Sequence, residues 1–434
     1  MNVLGDPKTR RWFGWGALAI IFLLVNLHRL STAVLAERLT VDFGMSASEL
    51  GAVHAAFFVV YALIQIPTGV LADRYGPRYV GSIGAVVLSA GALGFAASSG
   101  FLDAFLARIL IGLGSGVIFI SILRYCANWF RVDEFATMTG LTGGIAGLGA
   151  IFATTPLAIT VDGIGWRPTV VGLAAIGFVA AAATFSLVRR SPERAGLESI
   201  DRVPRQPAIT LAAAVAHVRS LLGDGTQWLL STITFMVLGT VLTIIGLWGV
   251  PYLVVVYDLG VTTASYFTLL GSVGILVGAP LVGWVSDRIE RRILPMVVGI
   301  GVLAVVLATI PLVGRPPLVV VAGAYFVIGF SVGFVMLGLT IIKERYPADA
   351  SGVATATVNG AGFFGATVFP YLMGLTLDRY RTGDVVAGTV VYTEYGYRLA
   401  FAIVAIAAVI AFLSTLWLFV RLMNETTIQP SVSP

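Results

Sequence analysis

The chain reads as a succession of long apolar runs, each closed by a short polar segment. A helix needs about 20 apolar residues to cross the roughly 30 Å hydrocarbon core of a bilayer. Such runs recur twelve times, over approximately 12–36, 48–72, 79–98, 102–128, 137–161, 167–188, 228–256, 263–285, 294–313, 317–342, 352–376 and 396–421. The pattern predicts an all-α membrane protein with twelve transmembrane helices. The first run begins at Trp12, after Lys8, Arg10 and Arg11, and continues into Asn26, His28 and Arg29 without a small-residue cleavage site. It is therefore read as an uncleaved first helix and not as a signal peptide.

Composition agrees with lipid as the solvent. Of 434 residues, 58% are hydrophobic and 11% charged, whereas a soluble domain carries roughly 25% charged residues. Mean hydropathy is +0.94, and the 50 glycines suit helices whose backbones approach closely. The net charge of +5 does not point to nucleic acid, because the basic residues are dispersed over short segments and form no stripe with interleaved aromatics. Instead they favour one set of loops, with Arg74, Arg78, Arg131, Arg189, Arg190, Arg288, Arg291 and Arg292 among its members. The other set holds Arg38, Arg167, Arg315, Arg379, Arg381 and Arg398. The positive-inside rule then expects a multi-pass protein of the plasma (inner) membrane with both termini in the cytoplasm. The one cysteine, Cys126, lies in an apolar run and is expected to pack.

Two segments are near copies. Gly69-Val-Leu-Ala-Asp73-Arg74-Tyr-Gly76-Pro-Arg78 follows the second run, and Gly283-Trp-Val-Ser-Asp287-Arg288-Ile-Glu-Arg291-Arg292 follows the eighth, an offset of 214. Arg108-xxx-Gly112-xxx-Gly116 and Tyr325-xxx-Gly329-xxx-Gly333 match at an offset of 217. Two matches at nearly one offset predict a duplicated six-helix unit. The expected division is an N-terminal bundle over 1–190, a cytoplasmic linker with a surface helix over 191–227, and a C-terminal bundle over 228–434. His217 in the linker is expected to be solvated. Repeats of this kind place the substrate near the midplane between the halves.

The Gly-x-x-x-Asp-Arg-x-Gly pattern resembles the signature of the major facilitator superfamily, and the resemblance extends over the whole chain. It implies two pseudo-symmetric six-helix bundles. It also implies that Gly69, Asp73, Arg74, Gly76, Arg78, Gly283, Asp287 and Arg288 form conformational-switch loops holding the halves together in one state. Physically, an Asp can face the positive end of a helix while an Arg pairs with a carboxylate.

An ionisable side chain at membrane depth is a functional candidate by default. His28 and Arg29 lie in the first helix, and Arg108 in the outer half of the fourth. In the second, His54, Phe58, Tyr61 and Gln65 recur at spacings of four, three and four, which puts them on one face. The stretch His54-Ala-Ala-Phe-Phe-Val-Val-Tyr61-Ala-Leu-Ile-Gln65-Ile-Pro67 closely resembles helix two of the anion:cation symporter branch. By that resemblance, the matching His helps couple protons to substrate, and Arg29 takes the place of the Arg that binds the anion. Two positions depart from the pattern. Ser115 stands where a proton-coupling carboxylate is expected, and Gly239 stands near where a second anion-binding Arg is expected. One guanidinium suits one carboxylate, held bidentate, so a monoanion is favoured over a dianion.

The expected substrate contacts are Arg29, His54, Tyr61, Gln65, Tyr252, Tyr325 and Asn359, with His54, His28 and Arg108 as proton-coupling candidates. Each also has a structural reading, in buried carbonyls or helix packing. Glycines 143, 144, 147 and 149, and 360, 362 and 365, are expected to form close-packed sliding surfaces. These expectations describe an alternating-access transporter, acting as a monomer in the bilayer. Its task is proton-coupled uptake of a small organic anion, a monocarboxylate or sugar acid. The alternative is proton-driven efflux of lipophilic compounds, although the Gly-Pro pair typical of exporters is lacking in Gly147-Leu-Gly149-Ala-Ile-Phe-Ala-Thr-Thr-Pro156. No metal-ligand spacing, nucleophile elbow or phosphate-cradling loop is present, so neither an enzyme nor a cofactor is expected.

Overall fold

The computed structural model describes residues 6–198, 200, 221, 223–346, 348–386 and 389–428. Among them, twelve helices are long and apolar enough to cross a membrane: Pro7–Leu30, Ala47–Gln65, Arg74–Ala96, Phe101–Trp129, Asp133–Phe152 and Trp166–Leu187, then Gly225–Tyr257, Val261–Arg288, Ile293–Val313, Leu318–Arg345, Ser351–Arg379 and Glu394–Asn424. These are spans 1 to 12, arranged as two six-helix bundles. Hydrocarbon offers the backbone no hydrogen bonds, so each span must satisfy its own peptide groups. Large apolar side chains such as Val179 and Val305, each 70% exposed, cover the outside. The expected linker helix and His217 fall largely outside the described residues.

The spans are less regular than the hydropathy pattern suggests. Span 1 breaks at Ser31 and resumes as Thr32–Phe43, so the segment after residue 36 is helical rather than loop. Spans 2 and 3 are two helices that follow one another within Ala47–Ala96 without a loop, meeting where Gly76 adopts φ 82° and ψ 163°. The signature segment therefore sits on helix ends, with Pro77 starting the return, and there is no extended loop. Span 4 breaks at Val117 and span 10 at Ser331, 214 residues apart. Span 7 carries a π-helical turn, Ile244–Trp248, matching the break in span 1. A β-hairpin, Arg381–Val386 against Thr389–Tyr392, joins spans 11 and 12; no periodicity in the sequence had suggested it.

Glycines set the closest approaches within each bundle. A Cβ on Gly112 would lie 2.5 Å from the Phe57 carbonyl oxygen, and one on Gly329 would lie 1.8 Å from that of Gly271. The two matched motifs thus pack span 4 on span 2 and span 10 on span 8. Gly147, Gly149, Gly362 and Gly365 are similarly crowded, but Gly143, Gly144 and Gly360 have no neighbour within 4 Å of a Cβ. Those three are not packing surfaces in this conformation.

Contacts between the bundles are concentrated on the side opposite the termini. The Asp378 carboxylate, near the end of span 11, accepts from the backbone N–H of Ala47 at 2.9 Å and of Ser48 at 3.0 Å, the first turn of span 2. Its counterpart Asp162, beyond span 5, accepts from the Thr262 hydroxyl at the start of span 8. Ser265 donates to Thr155, and Ser272 donates to the Ala150 carbonyl. On the terminal side Arg11–Glu134 and Arg292–Glu344 are ion pairs within one bundle. The molecule is closed on one side to the depth of Tyr61 and Phe363, whose rings lie 4.6 Å apart across the seam.

Asp378→Asn is expected to loosen this closed end, because a carboxylate on two helix N-terminal amides is a charge-assisted contact. With Leu50→Cys as reporter on the native seam, maleimide labelling from the side opposite the termini should rise roughly tenfold; an unchanged rate would show the contact to be incidental. Gly329→Ala should lower thermal stability in detergent by more than about 3 kcal/mol, while Gly360→Ala should change it by under about 0.5 kcal/mol.

Candidate functional site

Arg29 lies on the last turn before the break in span 1 and is half-buried. Its Nη1 donates to Asn26 Oδ1 at 3.0 Å, one turn earlier. Its Nε and Nη2 are buried without any hydrogen-bond partner. The guanidinium carbon lies 4.8 Å from the Tyr61 ring centre and 5.1 Å from that of Phe363. Among the described residues no carboxylate pairs with it. Each ring contact offers about 0.5–2 kcal/mol, less than a bidentate carboxylate supplies in a dry site. The cation is held with its strongest interaction unmade.

Arg108 sits nearby but differs in kind. Only 1% exposed, it donates from Nη1 to the His28 carbonyl at 2.8 Å and from Nη2 to Thr32 Oγ1 at 3.0 Å. In an unbroken helix that carbonyl would accept from the Thr32 N–H. Arg108 therefore satisfies the backbone where span 1 breaks, which is the usual cause of a kink, a side chain entering the ladder. Tyr325 occupies the matching motif position in the other bundle, and its hydroxyl donates to the Gly249 carbonyl at 2.7 Å, beside the π turn of span 7. Both residues are braces, each at a break. Tyr252 is likewise engaged within the C-terminal bundle, bonded to the Gly314 carbonyl at 3.4 Å and packed 4.7 Å from Phe401. The hydroxyls of Tyr252 and Tyr325 are committed to backbone away from Arg29.

His54 is fully buried, 5.0 Å ring to ring from Phe58, with neither ring nitrogen hydrogen-bonded. It abuts the π turn of the opposite bundle, where a Cβ on Gly246 would come within 3.0 Å of its Cε1. His28 is also buried, with Nε2 unpartnered. Tyr61 and Gln65 follow His54 along span 2 and are both buried. Asn359 and Phe363 are one turn apart on span 11. Spans 2 and 11 run in opposite senses, so Gln65 and Asn359 both stand one turn toward the termini from the Tyr61–Phe363 pair. An aromatic layer around the cation is thus followed by an amide-bearing layer on the terminal side. Asn26 and Phe363 are members of this constellation that the sequence reading did not assign. Asn26 had a signal, a polar residue three positions before an intramembrane Arg; Phe363 had none, because its partner lies in the other bundle.

The family model of the Major Facilitator Superfamily matches residues 15–370. The chain belongs to the major facilitator superfamily. Within it, the chain resembles the hexuronate transporter of Bacillus subtilis (25% identity, covering 82% of this chain and 85% of that protein). It also resembles a probable sulfoacetate transporter of Cupriavidus necator (27%, covering 85% and 88%). In fold it resembles a bacterial homolog of the human lysosomal transporter Spinster in an inward-facing, unoccupied conformation, with TM-score 0.77 and 17% identity over 95% of this chain and 98% of that one. The nucleoside transporter NupG gives TM-score 0.72 at 14% identity, covering 94% and 100%. As a superfamily member the protein is a membrane transporter and not an enzyme.

The superfamily signature is at rest in this conformation. Arg74 lies 5.4 Å from the Tyr75 ring, Arg78 donates to the Phe185 carbonyl, Asp287 pairs with Arg292, and Arg288 covers Trp284. Each of these contacts stays within its own bundle, and the Asp73 side chain lies outside the described residues. Gly76 supplies the positive φ of the turn, whereas Gly69 and Gly283 have open space around them. Gly239 has a steric reason for lacking a side chain: a Cβ there would lie 2.6 Å from the Gly365 backbone, so span 7 meets span 11 where a second arginine would stand.

The two arginines should separate in a stability measurement. Arg108→Ala leaves the buried Thr32 hydroxyl without this donor and the His28 carbonyl with the Ser31 hydroxyl alone, and should cost roughly 2–4 kcal/mol in detergent unfolding. Arg29→Ala removes an uncompensated cation and should leave stability equal or higher, as at other sites where function strains the fold. Equal losses in both variants would make Arg29 another brace.

Proposed function

We propose that this protein is an alternating-access carrier that brings a small organic monoanion, a monocarboxylate or sugar acid, into the cytoplasm together with a proton. The observation that carries this reading is Arg29: an intramembrane guanidinium beside the Tyr61–Phe363 contact across the seam, with Nε and Nη2 lacking hydrogen-bond partners and no carboxylate paired with it among the described residues. Those two donors match one carboxylate side-on. The absence of a second cation at Gly239 agrees with a single negative charge, and Gln65 and Asn359 could bind hydroxyl groups along the rest of the substrate. Relatives named for hexuronate and L-galactonate support this class. On this reading residues 1–190 and 228–434 rock as two units, the termini are cytoplasmic, and the conformation described is inward-open in the plasma (inner) membrane.

Proton coupling is assigned to His54, with His28 as its neighbour. His28 Nε2 and both ring nitrogens of His54 are buried without hydrogen-bond partners, and His54 lies against Gly246 of the opposite bundle. The bound anion neutralises the local positive charge, so protonation and substrate loading favour one another. Arg108 acts on this step through the shape of span 1 rather than by carrying the proton. The switch loops, including Asp73 and Arg74, would close the terminal side in the opposite state.

The test is uptake of radiolabelled galacturonate, galactonate and sulfoacetate into proteoliposomes, with and without an inward pH gradient. Wild-type protein should accumulate at least one of them more than tenfold faster with the gradient, and Arg29→Ala should abolish uptake. His54→Gln should retain anion exchange across equal pH but lose gradient-driven accumulation. Normal transport by Arg29→Ala would remove the anion reading, and gradient-driven accumulation by His54→Gln would remove that residue from coupling.

A further inference from the structure

Among the described residues of its bundle, Phe363 alone places a ring against the guanidinium of Arg29, reaching it from the opposite side of the seam. We propose that Phe363 sets the affinity of the anion site, occupying Arg29 while the carrier is empty and yielding its place when an anion arrives. The proposal rests on Arg29 being the anion's partner, as argued above.

Three observations lead there. The first is which donors are free. Nη1 is committed to Asn26, whereas Nε and Nη2 are both buried and both unpartnered. An anion cannot reach that edge until something covering it moves. The second is which of the two covering rings can move. Tyr61 belongs to the bundle that carries Arg29; it is stacked on Phe57 at 5.7 Å and its helix is crowded by Gly116. It travels with Arg29. Phe363 belongs to the other bundle and travels with span 11, so its distance from Arg29 changes whenever the bundles rock. The third is the rest of the ring's surroundings. Phe363 is 5% exposed and packs against Tyr61 and, at 6.3 Å, Phe58, so it closes the seam at the depth of the cation.

The energetic order follows. A ring face on a cation is worth less than a charge-assisted bidentate pair, so an anion displaces Phe363 whereas water and neutral polyols do not. Occupation then has a mechanical consequence. The anion replaces the contact that tied Arg29 to the opposite bundle, and loading frees the seam at its deepest point.

Removing the ring removes the competitor. In purified protein, Phe363→Leu should bind galactonate roughly three- to tenfold more tightly than wild type, measured as Kd by calorimetry at equal pH. Phe363→Met supplies a second ring-free side chain should the leucine variant misfold. Wild-type or weaker affinity in both folded variants overturns the proposal while leaving Arg29 in place, provided Arg29→Ala does not bind. Binding by Arg29→Ala, or failure of wild type to bind any of galactonate, galacturonate and sulfoacetate, overturns the reading of Arg29 and this proposal with it.

Discussion

Hydrocarbon cannot accept a hydrogen bond, and every feature of this site is a response to that. A spanning helix that breaks leaves carbonyls exposed, so a break must come with a repair. Arg108 repairs span 1 and Tyr325 repairs span 7, from matching positions on matching helices. Once span 1 may bend, the residue beside the bend can leave the helix surface. Arg29 is that residue. Its cation is tolerable there because rings and an amide soften its isolation without ending it.

The duplication explains the frame and also its asymmetry. Breaks, glycine contacts and interbundle carboxylates recur at offsets near 214, so both bundles solve the same packing problem. They solve it with different chemistry. The N-terminal bundle repairs its break with an arginine and keeps His28, Arg29 and His54 close by; the C-terminal bundle uses a tyrosine and presents aromatic and amide groups. Among the residues described at the site, positive charge is thus carried by one half, and the other half supplies a ring that covers it. A cleft between such unlike faces has a direction built into it, suited to a ligand with a charged head and a polar tail.

Much of this was legible in the sequence, for reasons that can be traced to particular residues. The twelve spans followed from run length, because lipid imposes that length. The face joining His54, Tyr61 and Gln65 followed from helical periodicity. Arg29 stood out because a charge in an apolar run is costly. Other features were hidden because they depend on tertiary approach. Nothing in the spacing distinguishes the hydroxyls of Tyr252 and Tyr325, engaged with backbone, from one facing a cleft. Phe363 resembles any lipid-facing phenylalanine until the opposite bundle is in place. Gly143, Gly144 and Gly360 share the composition of packed glycines but meet open space. Arg108 and Arg29 look alike in sequence, yet Arg108 is bonded through both terminal nitrogens and Arg29 through one.

The carboxylate of Asp378 grips main-chain amides, and this has an evolutionary consequence. Every residue except proline carries such an N–H, so Ser48, half-buried, can change widely with the grip preserved, while buried Ala47 is limited only by the space around its side chain. Asp162 holds a side-chain hydroxyl instead, and its partner Thr262 is replaceable by few residues. The two ends of the same gate should therefore age differently in a lineage, one tolerating change in its partner and the other requiring compensation.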